Sequence, residues 1–216
     1  MFKFIKSTAD TNLFYIFNKI LIKYYYIKTQ TWYKFFLKKS GEKNLIIRPI
    51  IITPEVIELH NYIFIRNNAR IEGVKQYLDL KFQPKIIIED NVSIEQNIHL
   101  TCAQSVSIGK NTAIAANVTI TDIHHSYLNI NLPIEKQAIE VYPVSIGEDC
   151  KIYNNAVILP GTIIGKHCTI GANSVVSGIF PDFTVIVGAP ARIIKRYSFE
   201  KQVWLKTDKE GNFIES

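Results

Sequence analysis

The chain has 216 residues, a mass of 24.7 kDa, 47% hydrophobic residues, a net charge of +6 and a pI near 9.1. That length supplies one sizeable domain plus an appendage, and no run reaches the roughly 18 uncharged apolar residues that a spanning helix needs. The three cysteines, Cys102, Cys150 and Cys168, form no CxxC pair and are odd in number, which argues against a disulfide framework and for a reducing, cytoplasmic location.

Residues 1–44 form the first expected region, a basic and aromatic helical segment. Residues 1–40 carry eight lysines and one acid, Asp10, while the rest of the chain has seventeen Lys and Arg against eighteen Asp and Glu. Lys3, Lys6, Lys19, Lys23 and Lys28 interrupt the apolar character before a secretory h-region forms. The stretch DTNLFYIFNKILIKYYYIK predicts a helix capped by Asp10 or Thr11, with Leu13, Phe17, Ile20, Tyr24 and Ile27 on one face. TWYKFFLKK predicts a second short helix ending at Gly41. Two readings stand for this segment. It lies peripherally on an anionic membrane, at its inner face, or it covers the open end of the domain that follows.

From residue 45 a period of six takes over. Leu59, Ile65 and Ile71 repeat before an insertion from about Gly73 to Pro84. Ile88, Ile94 and Leu100 follow, then a two-residue slip, then Ile108, Ile114 and Ile120. Phase is lost over 121–143 and returns as Ile146, Ile152, Ile158, Ile164, Ile170 and Val176. A helix repeats near 3.6 residues and a strand near 2, so six means short strands joined by regular turns: an all-β solenoid over 45–187 with an extruded loop at 121–143 and a C-terminal tail at 188–216. Small residues stand four places after each aliphatic: Cys150, Ala156, Thr162, Cys168 and Ser174, until Phe180 breaks the rule. They are expected at corners that a larger side chain would overfill, which makes the cysteines packing residues. Asn67, Asn91, Asn111 and Asn117 suit turns with left-handed backbone.

The histidine pair in TITDIHHSY lies where the solenoid extrudes its loop, a favoured place for chemistry on a rigid scaffold. Taken alone, the pair reads first as solvated loop residues of no special role.

The repeats SIGEDC, IIGKHC and TIGANS, the run VILPGTIIG and the ending VIVGAPARIIKR resemble the hexapeptide-repeat acyltransferases, in particular the sugar and polysaccharide O-acetyltransferase branch. The resemblance covers about residues 45–197. It implies a left-handed parallel β-helix, assembly as a homotrimer with sites between subunits, and acetyl-CoA as co-substrate, with no metal. It also implies that His125, five residues after the Asn117–Ile120 strand, is the catalytic base, with Asp122 fixing its tautomer in a D-x-x-H pattern and His124 the less favoured base. Glu95 is a second candidate for that carboxylate, and Glu95 and His99 are placed near the acceptor. Asn154, Ala172, Ser177 and Gly178 match the family's cofactor contacts, and Arg192 and Lys195, in and after GAPAR, match its phosphate contacts. Lys151 and Tyr153 depart from the pattern, which has an aromatic residue and glycine at those positions. Histidine titrates near neutrality, so it can take a proton from an attacking hydroxyl and return it to a leaving thiolate, with no acyl-cysteine. The acceptor implied is a sugar hydroxyl of a surface polysaccharide or its precursor.

Rival readings are N-acetylation of an amino sugar nucleotide, O-acetylation of serine, and a non-enzymatic scaffold. The first two commonly bring N-terminal domains that 40 residues cannot form. A solenoid zinc enzyme would need about three spaced ligands, and His124 and His125 are adjacent. Nucleic acid is not an expected partner, because the charge sits in an aromatic helix without a binding motif.

Overall fold

The computed structural model describes residues 12–208 and 211–214. A unit of six residues has room for one two-residue strand and one turn, and the chain winds these units into a three-faced parallel β-helix. The first face has seven strands, from Lys39–Ser40 and Ile57–Leu59 to Ile179–Phe180. The third has six: Ile51–Ile52, Arg70–Gly73, His99–Cys102, Thr119–Thr121, Val157–Ile158 and Val175–Val176. The second has nine, beginning at Leu45–Ile46. Its last two, Ala191–Ser198 and Val203–Lys206, are antiparallel additions, so the segment expected as a tail extends a face of the solenoid.

Cross-strand partners measure the length of each coil. Ile152 pairs with Ile170, 18 residues on. Leu100 pairs with Ile120, 20 on; Ile71 with Leu100, 29 on; Ile120 with Ile158, 38 on. Against 18, the surpluses are 2, 11 and 20 residues. All of them leave the solenoid at the same edge, between the third face and the first. At the other two edges the buried aliphatics of these coils stay six apart, as in Ile108, Ile114 and Ile120. The surplus of eleven folds into the hairpin Gln76–Tyr77/Leu80–Lys81. The surplus of twenty, expected as a loop, has a stem: Ile123–His125 pairs antiparallel with Ile139–Val141. That pairing satisfies backbone groups that a bare loop would have to leave to water.

The aliphatic ladder is the core. Ile65, Ile94, Ile114, Ile152, Ile170 and Ile186 stack on the second face, all at 0–1% exposure. The small-residue slot holds Cys150, Ala156, Thr162, Cys168 and Ser174, all buried as expected. In earlier coils the equivalent slot is mixed, with Ala69 and Thr112 beside the larger Ile63, Val92, Ile98 and Val118, all equally buried, so small size is uniform only in the later coils. Gly147 follows from the close stacking: a Cβ there would lie 2.6 Å from the carbonyl carbon of Gly165.

A ladder of asparagines binds the edge between the second and third faces. Asn68, Asn97, Asn117, Asn155 and Asn173 all have φ between 57° and 61°. Each amide nitrogen donates to the next side chain's oxygen, at 3.1, 2.8, 3.0 and 3.0 Å. Asn tolerates this left-handed backbone and its side chain is the right length for the coil spacing. Of the four expected turn asparagines, Asn91, Asn111 and Asn117 adopt it; beside Asn67 the residue that does so is Asn68.

Within the N-terminal segment, residues 13–36 form one continuous helical rod. Helix α1, Leu13–Lys28, is capped by the Asn12 side chain, which accepts the Tyr15 N–H at 2.9 Å. The caps expected at Asp10 and Thr11 lie outside the described residues. The expected second helix is a continuation: a wide π turn, Thr29–Tyr33, runs into Lys34–Phe36. The wide turn brings the buried Thr29 hydroxyl to the first coil, where it accepts the Ile46 N–H at 2.9 Å and donates to Tyr25 O at 2.7 Å. Gln30 donates to Asn44 O at 2.7 Å, and Leu37 enters the core. The end of the rod thus covers the open first coil. Among the described residues no helix is long and apolar enough to cross a membrane.

Candidate active site

Strand alternation separates the two histidines. On Ile123–His125, Ile123 and His125 face one way and His124 the other. The side with Ile123 and His125 closes over a cavity of about 360 Å³, lined also by Ile139, Arg70, Val74, Tyr77, His99, Thr101, Thr119 and Thr121. His124 stands across from Glu140 and meets Tyr127 edge to face, with centroids 5.7 Å apart.

The cavity floor is the outward side of the third face. Arg70, His99 and Thr119 form one cross-strand row, and Glu72, Thr101 and Thr121 the next. Arg70 is neutralised by Glu72 at 2.5 Å. Burial, reinforced by the Arg70 charge, holds the His99 pKa below its ordinary value, so the ring is neutral near pH 7 and can both donate and accept. Thr101 donates to the Thr121 hydroxyl at 2.9 Å, and Thr121 accepts the Ile123 N–H at 3.1 Å, which fixes the base of the stem.

The wall comes from the other insertion. Because both leave at one edge, the hairpin can reach the stem two coils on. The Tyr77 ring meets His125 edge to face, with centroids 5.3 Å apart. Its hydroxyl donates to Glu135 O at 2.9 Å and lies 3.2 Å from the Glu135 carboxylate. Burial and then the Glu135 charge push the Tyr77 pKa up, keeping the phenol a donor.

Asp122 is elsewhere. Three residues is an odd step on an extended chain, so the D-x-x-H spacing puts Asp122 and His125 on opposite sides. Asp122 is fully buried; its carboxylate accepts the N–H groups of Ala103, Gln104 and Ser105, each at 2.8 Å, and meets the Cys102 thiol at 3.4 Å. The carboxylate closes the two-residue surplus of the preceding coil, and its oxygens are taken up by that work rather than by either imidazole. Burial, then the Asp122 charge, pushes the Cys102 thiol well up, away from nucleophilic chemistry. Glu95 also lies away from the cavity, paired with Arg66 at 2.8 Å. His99 and His125 are therefore the expected site residues that meet. Arg70, Tyr77, Thr101, Thr119 and Thr121 join them unannounced. All but Tyr77 flank ladder aliphatics, a signal already present in the period of six.

The candidate cofactor residues border the same face. Asn154 and Ala172 are exposed in turns one coil apart at its asparagine edge, where the Asn173 N–H donates to Asn154 O at 3.0 Å. Ser177 and Gly178 are exposed at its other edge; Gly178 has φ +109° and nothing within 4 Å of a built Cβ. Arg192 and Lys195 are exposed on Ala191–Ser198, a strand that packs beside Val175–Val176, and neither enters an ion pair among the described residues. The two departures from the family pattern meet each other: Lys151 Nζ sits 5.5 Å from the centre of the Tyr153 ring. Among the described residues no cluster of three or more His, Cys, Asp and Glu could hold a metal.

A sequence model of the bacterial transferase hexapeptide (six repeats) proteins matches residues 143–178. The chain is 38% identical over 157 residues to the putative lipopolysaccharide biosynthesis O-acetyl transferase WbbJ of Escherichia coli (strain K12), covering 66% of this chain and 80% of that protein. It is 36% identical over 103 residues to the galactoside O-acetyltransferase of the same strain, covering 46% and 49%. Among solved structures it is similar to AntD, an N-acyltransferase from Bacillus cereus, in complex with dTDP and 3-hydroxybutyryl-CoA: TM-score 0.62, 17% identity, 80% of this chain and 90% of that one. A galactoside acetyltransferase in complex with coenzyme A gives TM-score 0.54 at 21% identity, covering 93% and 88%. The shared fold is the left-handed parallel β-helix.

Proposed function

This chain belongs to the hexapeptide-repeat acyltransferases, and we propose that it transfers acetyl from acetyl-CoA to a sugar hydroxyl of a surface polysaccharide or its lipid-linked precursor. The observation that carries the reading is that His125, and not its neighbour, lines a cavity that also holds a second imidazole, His99, and three threonines. The 38% identity to a protein named for lipopolysaccharide O-acetylation supports the acceptor class. The N-acyltransferase likeness is one of fold alone, so it adds no support for an amino acceptor.

In this reading His125 takes the proton of the acceptor hydroxyl as the oxygen attacks the thioester carbonyl. Attack and loss of the thiolate transfer the acetyl group, and the imidazolium returns its proton to the departing sulfur. Tyr77 orients the His125 ring through edge-to-face contact. The Thr101, Thr119 and Thr121 hydroxyls and the neutral His99 supply the mixed donors and acceptors that a sugar requires. Small open turns at Ala172, Ser177 and Gly178 fit close approach of a pantetheine arm, and the unpaired Arg192 and Lys195 fit its phosphates. The working assembly is a homotrimer on the cytoplasmic side of the membrane.

The test is thiol release from acetyl-CoA with a panel of sugars, polysaccharide fragments and amino sugar nucleotides, followed by mass analysis of the product before and after mild alkali. An alkali-labile acetyl ester is expected. An alkali-stable acetamide formed on an amino sugar would overturn the hydroxyl assignment.

A further inference from the structure

Helix α1 is turned the wrong way for a packing helix. Its half-buried residues are Asn18, Leu21, Ile22, Tyr25 and Lys28, which mark the side toward the body. At 100° per residue the opposite side carries Leu13, Ile16, Phe17, Ile20, Tyr24 and Ile27, within an arc of about 100°. These six are between 45% and 83% exposed, and no residue of the helix is buried. An isolated helix of this length is marginal in water, and this one offers its most apolar side to it. Lys19 and Lys23 flank the arc. No acidic residue occurs from Thr11 to Gly41, a stretch with six lysines.

We propose that this outward face of α1 docks on an anionic lipid surface, its apolar arc at the acyl–headgroup boundary and Lys19 and Lys23 against the lipid phosphates. Charge selects lipid over a second copy of the chain. Beyond residue 40 the chain balances seventeen basic against eighteen acidic residues, so it offers no net negative charge to a basic helix, and two copies of α1 would bring like charges together. Width points the same way: a coiled-coil seam is narrow, whereas the exposed Ile16 falls outside the seam that Leu13, Phe17, Ile20, Tyr24 and Ile27 would make. Trp32 and Phe35, also exposed, continue the aromatic surface at the end of the rod that is pinned to the solenoid by Thr29 and Gln30. Docking would hold the solenoid at the membrane surface by a rigid joint, whichever acceptor it acetylates, so this inference stands apart from the acetyl-transfer reading.

The experiment is flotation of the full chain with vesicles of phosphatidylcholine alone or with about one-third phosphatidylglycerol. Binding to the anionic vesicles is expected to exceed binding to the neutral ones by about tenfold or more and to weaken in high salt. Lys19→Glu/Lys23→Glu is expected to lose that preference. Phe17→Asp/Ile20→Asp is expected to stop flotation, with oligomeric state by light scattering, urea midpoint and thiol release with a soluble acceptor all unchanged. Failure of the wild type to float with anionic vesicles overturns the proposal. So does flotation that survives Phe17→Asp/Ile20→Asp while the oligomer falls apart, which would assign the face to a second copy.

Discussion

Two edges of one solenoid behave in opposite ways. Between the second and third faces every coil keeps its six-residue step, and five asparagines stack at positive φ with side chains bonded end to end. Between the third and first faces three of the coils gain 2, 11 or 20 residues, and His99, His125, Tyr77 and the cavity gather beside that edge. A stacked helix needs only enough regular corners to hold its register, so one corner is free to vary. The candidate site lies at the corner where variation costs the stack least, and one exit edge lets insertions from different coils touch.

The largest effect should come where the irregular edge is itself stitched. Asp122→Ala takes the acceptor from three N–H groups, that of the buried Ala103 among them, and should cost on the order of 3 kcal/mol in urea unfolding. If Asp122 served only to orient an imidazole, activity would fall at unchanged stability, and the division between stitching and chemistry would break. At the regular edge, Asn117→Ala removes two side-chain bonds and strains a residue at φ 61°, for about 2 kcal/mol. Asn117→Gly keeps the backbone at ease and should cost less by the same measurement.

Replacing residues 127–137 with a short glycine linker should change stability by less than about 1 kcal/mol, since closure entropy depends weakly on length. It removes Glu135 from Tyr77 and should lower thiol release by about tenfold through loss of positioning. A collapse of the urea midpoint instead would show that the loop holds the stack. The smallest effect concerns His99. Its folded pKa lies below the unfolded value, so the unfolded chain binds more protons, and stability present above about pH 6.5 declines as pH falls below it. His99→Gln should flatten that part of the urea-midpoint profile and leave the carboxylate window near pH 4 unchanged.

The contrast between the edges also explains what the sequence disclosed. A period of six is written once per turn, so the ladder from Ile146 to Val176, the corner cysteines and the extent of both insertions could be read directly. Residues flanking that ladder, such as His99 and Thr121, follow from the same count once one face is known to matter. Tyr77 does not, because a hairpin's reach across two coils depends on where both insertions leave the stack. The placement of Asp122 was hidden for a related reason: a D-x-x-H spacing looks like a dyad in a loop, but the segment is extended, and an odd step sends the two side chains apart. The exposed face of α1 required the structure too, since hydrophobic spacing alone does not say which side of a helix meets the body.

Strand alternation at the irregular edge singles out one histidine of the pair as the proposed base. The most direct measurement is steady-state thiol release from acetyl-CoA, with an accepted sugar, by His125→Ala and His124→Ala alongside wild type. A fall in kcat of about 10²–10⁴-fold is expected for His125→Ala, with turnover close to wild type for His124→Ala. An active His125→Ala beside an inactive His124→Ala would contradict this assignment.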